Sequence, residues 1–517
     1  MLRIRRALLS VYHKDGLLPL AKTLIRHGAE ILSSGGTAKF LQEAGIPVRS
    51  VESWTESPQM FDGRVKTLHP RIHGGILFRR DVDAEEAAKH GIEPIDLVVV
   101  NLYPFGSAVE RRAPEDETIE LIDVGGPAMV RAAAKNHRFV GVVTLPEDYV
   151  KVQAALEEGA GELSEALCRE LAARAFATTA AYDAAIATYL TGGAGAEEGL
   201  PARFAPEAPM RRTLRYGENP SQRGGLYGQG SGFPFDLEQL HGKELSYNNL
   251  LDLHCGRNLL SEFGDEQVAV IIKHGIPCGV ALGTSLADAY LRARECDALS
   301  AFGGVVVLNR SIDRATAELL NETFLEVVLA PGVDDDAIDL LRTKKNRVVL
   351  KESVASLRAP EHAVNGRFCG GGLLLQTPMP RGLGEGGWKT VSTRATDDRE
   401  HRDLIFGWRV LKHVRSNGIL FAKDGATVGI GSGQTSRIDS TECAIRKAER
   451  SARDLRGSVM VSDAFFPFRD SVDRAASVGA SAVLEPGGSL RDEESIQAAN
   501  EHGMALVFND ARCFSHG

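Results

Sequence analysis

Short apolar runs alternate with amphipathic stretches through residues 1 to about 150. Arg6–Val11 reads as a strand, and Gly16–His27 as a helix closed by Gly28. Glu30–Leu32 is a second strand, and Thr37–Ala44 a helix closed by Gly45. Ile95–Val100 and Phe139–Val143 are further strands. Strands alternating with helices predict a parallel, doubly wound α/β sheet. Residues 151–190 are rich in Ala, Glu and Leu and read as helix. The Gly-, Pro- and Ala-rich stretch Thr191–Pro209 has no periodicity and marks a boundary. The expected domains are therefore residues 1–195 and 205–517. In the second, Val268–Ile272 is an unbroken apolar run, as in a parallel strand buried on both faces. A Gly-rich break at Gly370–Gly372 precedes a helix and strands from Asp397. Two packed α/β subdomains are expected there, with a boundary near 365–395 and no clear internal repeat.

Composition narrows the class. A chain of 517 residues exceeds one ordinary core. Its 43% hydrophobic and 25% charged content is that of a globular protein. A net charge of −9 argues against bulk nucleic-acid binding, yet leaves room for basic phosphate pockets. Seven cysteines without a Cys-x-x-Cys motif fit reduced thiols in a cytoplasm better than disulfides or structural zinc. The opening MLRIRRALLSV is basic and then apolar, but Lys14 and Asp15 interrupt it, so it reads as a first strand. No apolar run approaches the roughly 20 residues of a membrane span.

Candidate chemistry begins with Lys273 and His274, which follow the Val268–Ile272 run and precede Gly275. Adjacent strand residues point to opposite faces, so the pair shares a site only if the chain bends, which Gly275 permits. Near neutral pH a His accepts a proton while a Lys stabilises negative charge, which suits acyl transfer to a weak amine. The plain alternative is a strand ending in two solvated polar residues. SSGGTAKF (Ser33–Phe40) sits between a strand and a helix. Ser34, Thr37 and the Gly36 amide can cradle a phosphate, or the segment is a tight turn capped by Ser or Thr. GRVKTLHPRIHGG (Gly63–Gly75) gathers Arg64, Lys66, His69, Arg71 and His73 in a shaped loop: a polyanion site or a solvated basic loop. NLYPF places Tyr103 after a strand, IDVGG places Asp123 beside paired glycines, and AAAKNH places Lys135 near a helix end. One Tyr, one Asp and two Lys suffice for the proton transfers of a ring closure.

The second half adds Arg215 and Tyr216 in LRYGENP, and Asn417 and Arg437 around a Gly-rich hairpin, in which Gly429–Gly433 invites a nucleotide-loop label but reads more simply as a Gly-rich turn. Pro277-Cys278 matches half of a zinc-deaminase signature, but the second Cys and the His-x-Glu element are missing, so zinc is not expected. SDAFFPFRD (Ser462–Asp470) reads as core or as an aromatic wall for a flat heterocycle.

Taken together, these ordered motifs resemble the bifunctional purine-biosynthesis family that joins a transformylase to inosine monophosphate (IMP) cyclohydrolase. The resemblance spans essentially the whole chain. It implies a methylglyoxal-synthase-like first domain and a second region of two cytidine-deaminase-like subdomains without zinc. It implies that the first domain closes the purine ring. It also implies a homodimer whose interface contributes to the transformylase sites, with nucleotide and folate as small-molecule partners. The co-substrate would be 10-formyltetrahydrofolate, and a monovalent cation is admitted. Lys66, Tyr103, Asp123 and Lys135 look like the cyclohydrolase residues. Ser10, Lys14, Ser34, Gly36, Thr37, Arg64 and Thr67 look like its nucleotide contacts. Lys273 and His274 match the transformylase catalytic pair. Arg215, Tyr216, Asn249, Phe302, Asn417, Arg437, Phe465 and Arg512 match residues lining its nucleotide and folate sites.

Five positions depart from that pattern. Ser221, Ile276 and Ala298 stand where the family usually has His, Asn and Pro. His13 and Gln59 stand where Asp and Glu are common. The first three fall near the transformylase site, and Ile cannot make the hydrogen bonds of an Asn. They motivate an alternative: a cyclohydrolase whose second region binds nucleotide but transfers formyl poorly.

Overall fold

The computed structural model describes every residue except 62, 192–199, 201–207, 209, 229–232, 358–364 and 517. The chain forms two compact units, Met1–Pro206 and Glu207–Gly517. The stretch Thr191–Pro209, expected to join two domains, lies almost wholly outside the described residues.

In the first unit five strands form one sheet: β1 (Arg6–Val11), β2 (Glu30–Ser33), β3 (Arg49–Ser50), β4 (Leu97–Asn101) and β5 (Gly141–Val143). The order is β3-β2-β1-β4-β5, and every pairing is parallel. Helices α1 (Leu17–Arg26), α2 (Gly35–Glu43), α3 (Pro70–Leu77), α4 (Gly125–Lys135) and α5 (Glu165–Leu190) accompany it. The expected parallel sheet is thus present. The central strands show no apolar–polar alternation because both faces are covered; Leu97–Asn101 is buried at every position. The helix expected over 151–190 is interrupted: Glu162–Leu163 pairs antiparallel with Leu2–Arg3, and α5 begins only after Ser164 caps it. The basic loop is also shorter than expected, because Pro70 starts α3 at the position where a helix tolerates proline.

The second unit contains a sheet of twelve strands. These are β6 (Glu238–His241), β7 (Val268–Lys273), β8 (Ile276–Leu282), β9 (Gly304–Leu308), β10 (Leu325–Ala330) and β11 (Val348–Lys351). They continue as β12 (Lys389–Thr390), β13 (Ile419–Lys423), β14 (Ala426–Gly431), β15 (Val459–Ser462), β16 (Ala482–Glu485) and β17 (Ala505–Phe508). The order is β6-β11-β10-β9-β7-β8-β14-β13-β15-β16-β17-β12, a palindrome in topology about the β8–β14 junction. Strand β7 corrects the expectation of a parallel strand: it is antiparallel to both neighbours, β8 and β9. Burial on both faces is common to any central strand, so the apolar run could not reveal direction.

The palindrome is an internal repeat that the sequence did not disclose. Helices α6 (Tyr247–Leu260) and α8 (Asp398–Leu411) both open with a capping box, at Ser246/Asn249 and Asp397/Glu400. Hairpins β7–β8 and β13–β14 carry the same irregularity, after Ile271↔Gly279 and after Phe421↔Gly429. A Cβ on Gly279 would lie 1.9 Å from the carbonyl of Ala293 in α7 (Leu286–Cys296). One on Gly429 would lie 2.4 Å from that of Ala444 in α9 (Arg437–Arg450). Gly429 and Gly431 therefore sit inside a strand, not in the expected turn; they are small because a helix backbone crosses them. The turn itself is Asp424-Gly425, with both φ angles positive. The break at Gly370–Gly372 is the turn of an exposed ribbon, Asn365–Cys369 with Gly372–Gln376.

Candidate active sites

In the first unit the carboxyl ends of β1, β2 and β4 carry the predicted groups. Ser34 precedes α2 with its hydroxyl buried and without a partner, and it makes no side-chain cap. The simple capping alternative therefore does not account for it. Gly35 adopts φ +53°, and a Cβ there would stand 3.4 Å from Lys66 Nζ. The Lys66 ammonium thus lies beside a helix N-terminus, where amides and cation together favour an anion. The Thr37 hydroxyl is already engaged: it donates to Val11 O at 2.9 Å and accepts from Val11 N at 3.1 Å. It ties α2 to β1, whereas the Ser34 hydroxyl has no such partner. Ser10 lies in β1, and Lys14 Nζ donates to Tyr12 O at 2.9 Å.

Asp123 lies just before α4. Its Oδ1 accepts from Gly126 N at 2.8 Å, and the Tyr103 backbone N–H also reaches its carboxylate. Burial pushes this carboxyl above its ordinary range, opposed by the Gly126 amide and the Lys66 charge. The Tyr103 phenol is likewise raised, by burial first and then by Asp123 and Glu120. Thr67 is buried, and a Cβ on Gly125 would stand 2.6 Å from its hydroxyl. Lys66, Thr67, Tyr103 and Asp123 are therefore gathered around the start of α4. Arg64 stands at the exposed rim, paired with Glu120. Lys135 closes α4, ten residues after Gly125. That is about 15 Å along a helix axis. Among the described residues no hydrogen bond or ion pair joins it to the group. A cavity of about 470 Å³ adjoins the site, lined by Tyr12, His13, Pro104, Ser107, Arg111 and Glu120 among others. Asn101, overlooked in the sequence, shapes its wall by accepting from Tyr12 N at 2.6 Å and His13 N at 3.0 Å.

In the second unit the bend after β7 is real. His274 (φ +56°) and Gly275 (φ +71°) form a two-residue hairpin turn with both residues left-handed. Asp252 of α6 holds it, with Oδ1 2.6 Å from Gly275 N and Oδ2 3.3 Å from His274 N. Lys273 Nζ donates to Phe302 O at 2.6 Å, while His274 is exposed. Phe302 in turn packs against Phe324 with ring centroids 5.3 Å apart. The Asn249 amide is spent locally, on Ser246 N at 3.2 Å and on Glu326 Oε2 at 3.1 Å. Arg215 donates to the Tyr216 hydroxyl at 2.8 Å. Ile276 faces Lys273 across the hairpin, Ser221 is exposed, and Ala298 opens the helix Ala298–Ala301. None of the three disturbs the Lys273–His274 turn.

Strands β8 and β14 run antiparallel, so the start of β8 and the end of β14 share one sheet edge. Ile419 pairs with Gly431, which brings Asn417 to that edge as well. Lys273 and Ile419 are three strand spacings apart, roughly 14 Å. Asn417 Nδ2 donates to Gln434 O at 3.0 Å. Arg437 donates to Asp463 Oδ1 at 3.1 Å. Asp463 is fully buried and also accepts from Ser416 Oγ at 2.6 Å and Gly418 N at 2.9 Å. The guanidiniums of Arg437 and Arg512 flank the Phe514 ring, at 5.6 and 4.7 Å from its centroid. In the aromatic run, Phe466 is buried in the core while Phe465 presents its ring to solvent. Cys278 is a buried core thiol pushed up to about 12. Among the described residues, no three His, Cys, Asp or Glu side chains are grouped to hold a metal ion.

Comparison with known proteins reaches both units. Residues 16–128 match the MGS-like domain, and residues 133–447 match the AICARFT/IMPCHase bienzyme. The bifunctional purine biosynthesis protein PurH of Roseobacter denitrificans is 49% identical over 527 residues, covering 99% of each chain. That of Persephonella marina is 48% identical over 521 residues, covering 99% of this chain and 100% of the relative. That of Myxococcus xanthus is 50% identical over 522 residues, with the same coverage. The chain belongs to the AICARFT/IMPCHase bienzyme family, with an MGS-like domain in its first unit.

Proposed function

We propose that this bifunctional enzyme makes IMP in two steps at two separate sites, one in each unit. In the second unit the 5-amino group of aminoimidazole carboxamide ribonucleotide (AICAR) attacks the formyl group of 10-formyltetrahydrofolate. That amine is conjugated with its ring and needs a base as it attacks. His274, exposed on the hairpin, removes the proton. Lys273 stabilises the tetrahedral oxyanion or protonates the departing folate nitrogen. Arg215, Asn417 and Arg437 hold the two substrates in register, with Phe302, Phe465 and Arg512 along the walls. In the first unit the carboxamide nitrogen attacks the new formyl carbon, and loss of water closes the ring. Ser34 and the α2 amides hold the phosphate, beside Lys66. Asp123 and Tyr103 move the protons. Lys135 is a candidate by resemblance alone.

The observation that carries this reading is the Lys273–His274–Gly275 turn, locked by Asp252, in a unit separate from the Lys66–Tyr103–Asp123 group. Two disjoint clusters of acid–base groups support two chemical steps. Lys273→Ala should abolish formyl transfer and spare ring closure of supplied formyl nucleotide. Equal loss of both in a folded variant contradicts the assignment.

A homodimer acting in the cytoplasm completes the proposal; sedimentation of the purified chain tests the first. A monovalent cation is an accessory, tested by comparing turnover in potassium with turnover in tetramethylammonium. No described helix is long and apolar enough to cross a membrane.

A further inference from the structure

The loop between residues 121 and 124 carries Asp123 into the first site, and a phenol from outside that site clamps it. Tyr182, on α5, accepts a hydrogen bond from Asp123 N at 2.8 Å. The same hydroxyl donates to Leu121 O at 2.8 Å. One atom thus fixes the backbone on both sides of Ile122. The Tyr182 ring is itself seated edge-on against Phe105, with centroids 6.2 Å apart. Gly126 N and Tyr103 N then aim the Asp123 carboxylate. Backbone and side chain of Asp123 are therefore set by different groups, and Tyr182 reaches in from a helix some sixty residues further along the chain. Burial pushes the Tyr182 phenol up to about 12, so it remains a donor throughout the working range.

We propose that Tyr182 is a positioning residue for ring closure, its hydroxyl fixing the backbone from which Asp123 acts. The proposal rests on the reading of Asp123 as a group of the ring-closing site. Without that hydroxyl the Asp123 amide and the Leu121 carbonyl lose their partner, and a loosened loop admits water to the carboxylate. A shift of about 1 Å in a reacting group costs roughly 10²-fold in rate.

The test uses the full chain with Tyr182→Phe, and supplied formyl nucleotide as substrate. The expected result is a fall in kcat of roughly 10- to 100-fold, with KM changed by less than about threefold. The acid limb of the kcat profile should move to lower pH, because a wetter Asp123 carboxyl returns toward its ordinary range. Formyl transfer should be unchanged. Tyr189→Phe is the control: its ring also packs on Phe105, at 5.5 Å, and no described residue bonds its hydroxyl. In an Asp123→Asn background, Tyr182→Phe should cost nothing further. If Asp123→Asn alone leaves ring closure intact, the reading of the site fails. If Asp123→Asn abolishes it while Tyr182→Phe keeps wild-type kcat and pH profile, the positioning role alone is overturned. Hydrogen exchange on the unmodified chain gives a test that does not depend on the variant folding. The Asp123 amide should be protected, and exchange at the rate of a free loop amide overturns the proposal.

Discussion

Gly126 offers the sharpest perturbation of the proposed ring-closing site. It is the second residue of α4 and has no left-handed φ, so alanine is compatible with its backbone. Helix propensity alone would favour that alanine by up to ~1 kcal/mol. The added Cβ, however, would lie 2.3 Å from Asp123 Oδ2 and 2.9 Å from its Cγ. Ordinary contact begins near 3.4 Å, so the carboxylate must retreat by about 1 Å. Because the obstacle is the end of a flexible side chain, the fold yields cheaply while the carboxylate leaves its place. A displacement of that size in a reacting group costs roughly 10²-fold, or ~2.7 kcal/mol in activation free energy. The assay follows IMP formation spectroscopically from supplied formyl nucleotide, beside formyl transfer and a thermal melt. Gly126→Ala should lower ring closure by about two orders of magnitude. It should leave Tm level or slightly raised and formyl transfer untouched. Wild-type ring closure by Gly126→Ala would refute the claim that Asp123 must occupy this place.

Other perturbations separate the two sites further. Asp252→Ala removes the acceptor for both amides of a turn whose His274 is left-handed, a conformation costing roughly 1–2 kcal/mol; formyl transfer should fall at least tenfold and ring closure stay constant. Asp252→Asn keeps one acceptor oxygen and should lose less, so equal loss by the two variants in the transfer assay would contradict this role. Glu485 is fully buried, accepts from Phe466 N at 2.6 Å through one oxygen, and is pushed by burial from 4.5 up to about 8. Its folded pKa exceeds its unfolded one, so the folded chain holds the extra proton between those values and stability declines as pH rises through that window. Glu485→Gln should flatten that decline in Tm, and an unchanged pH dependence would contradict it.

The first sheet was legible because its strands and helices alternate in chain order, each with its own period. The direction of β7 was not, since Val268–Ile272 looks alike in any central strand. The repeat in the second unit was hidden for a different reason. Its matched positions, Lys273 and Lys423, Gly275 and Gly425, Gly279 and Gly429, lie 150 positions apart. What they share is a backbone demand, a tight turn or a crossing helix, and a few supporting side chains, set in sequence that otherwise differs. In the two halves Lys273 donates to Phe302 O and Lys423 to Arg456 O, at 2.6 and 2.8 Å. Asp252 and Asp403 each accept from both turn amides. Only one copy carries a histidine, which is why the Lys273–His274 pair stood out in the sequence. The supporting residues Asp252, Asp463, Asn101 and Tyr182 did not stand out. Each acts by accepting backbone amides from segments distant in sequence, and such a role leaves no local motif.

The most direct test supplies AICAR and 10-formyltetrahydrofolate to the purified chain and follows tetrahydrofolate and IMP separately. Two functional sites predict that both products form, with Lys273→Ala stopping both and Asp123→Asn stopping only IMP. If the unmodified chain releases no tetrahydrofolate yet cyclises supplied formyl nucleotide, the transfer site proposed around Lys273 and His274 is contradicted.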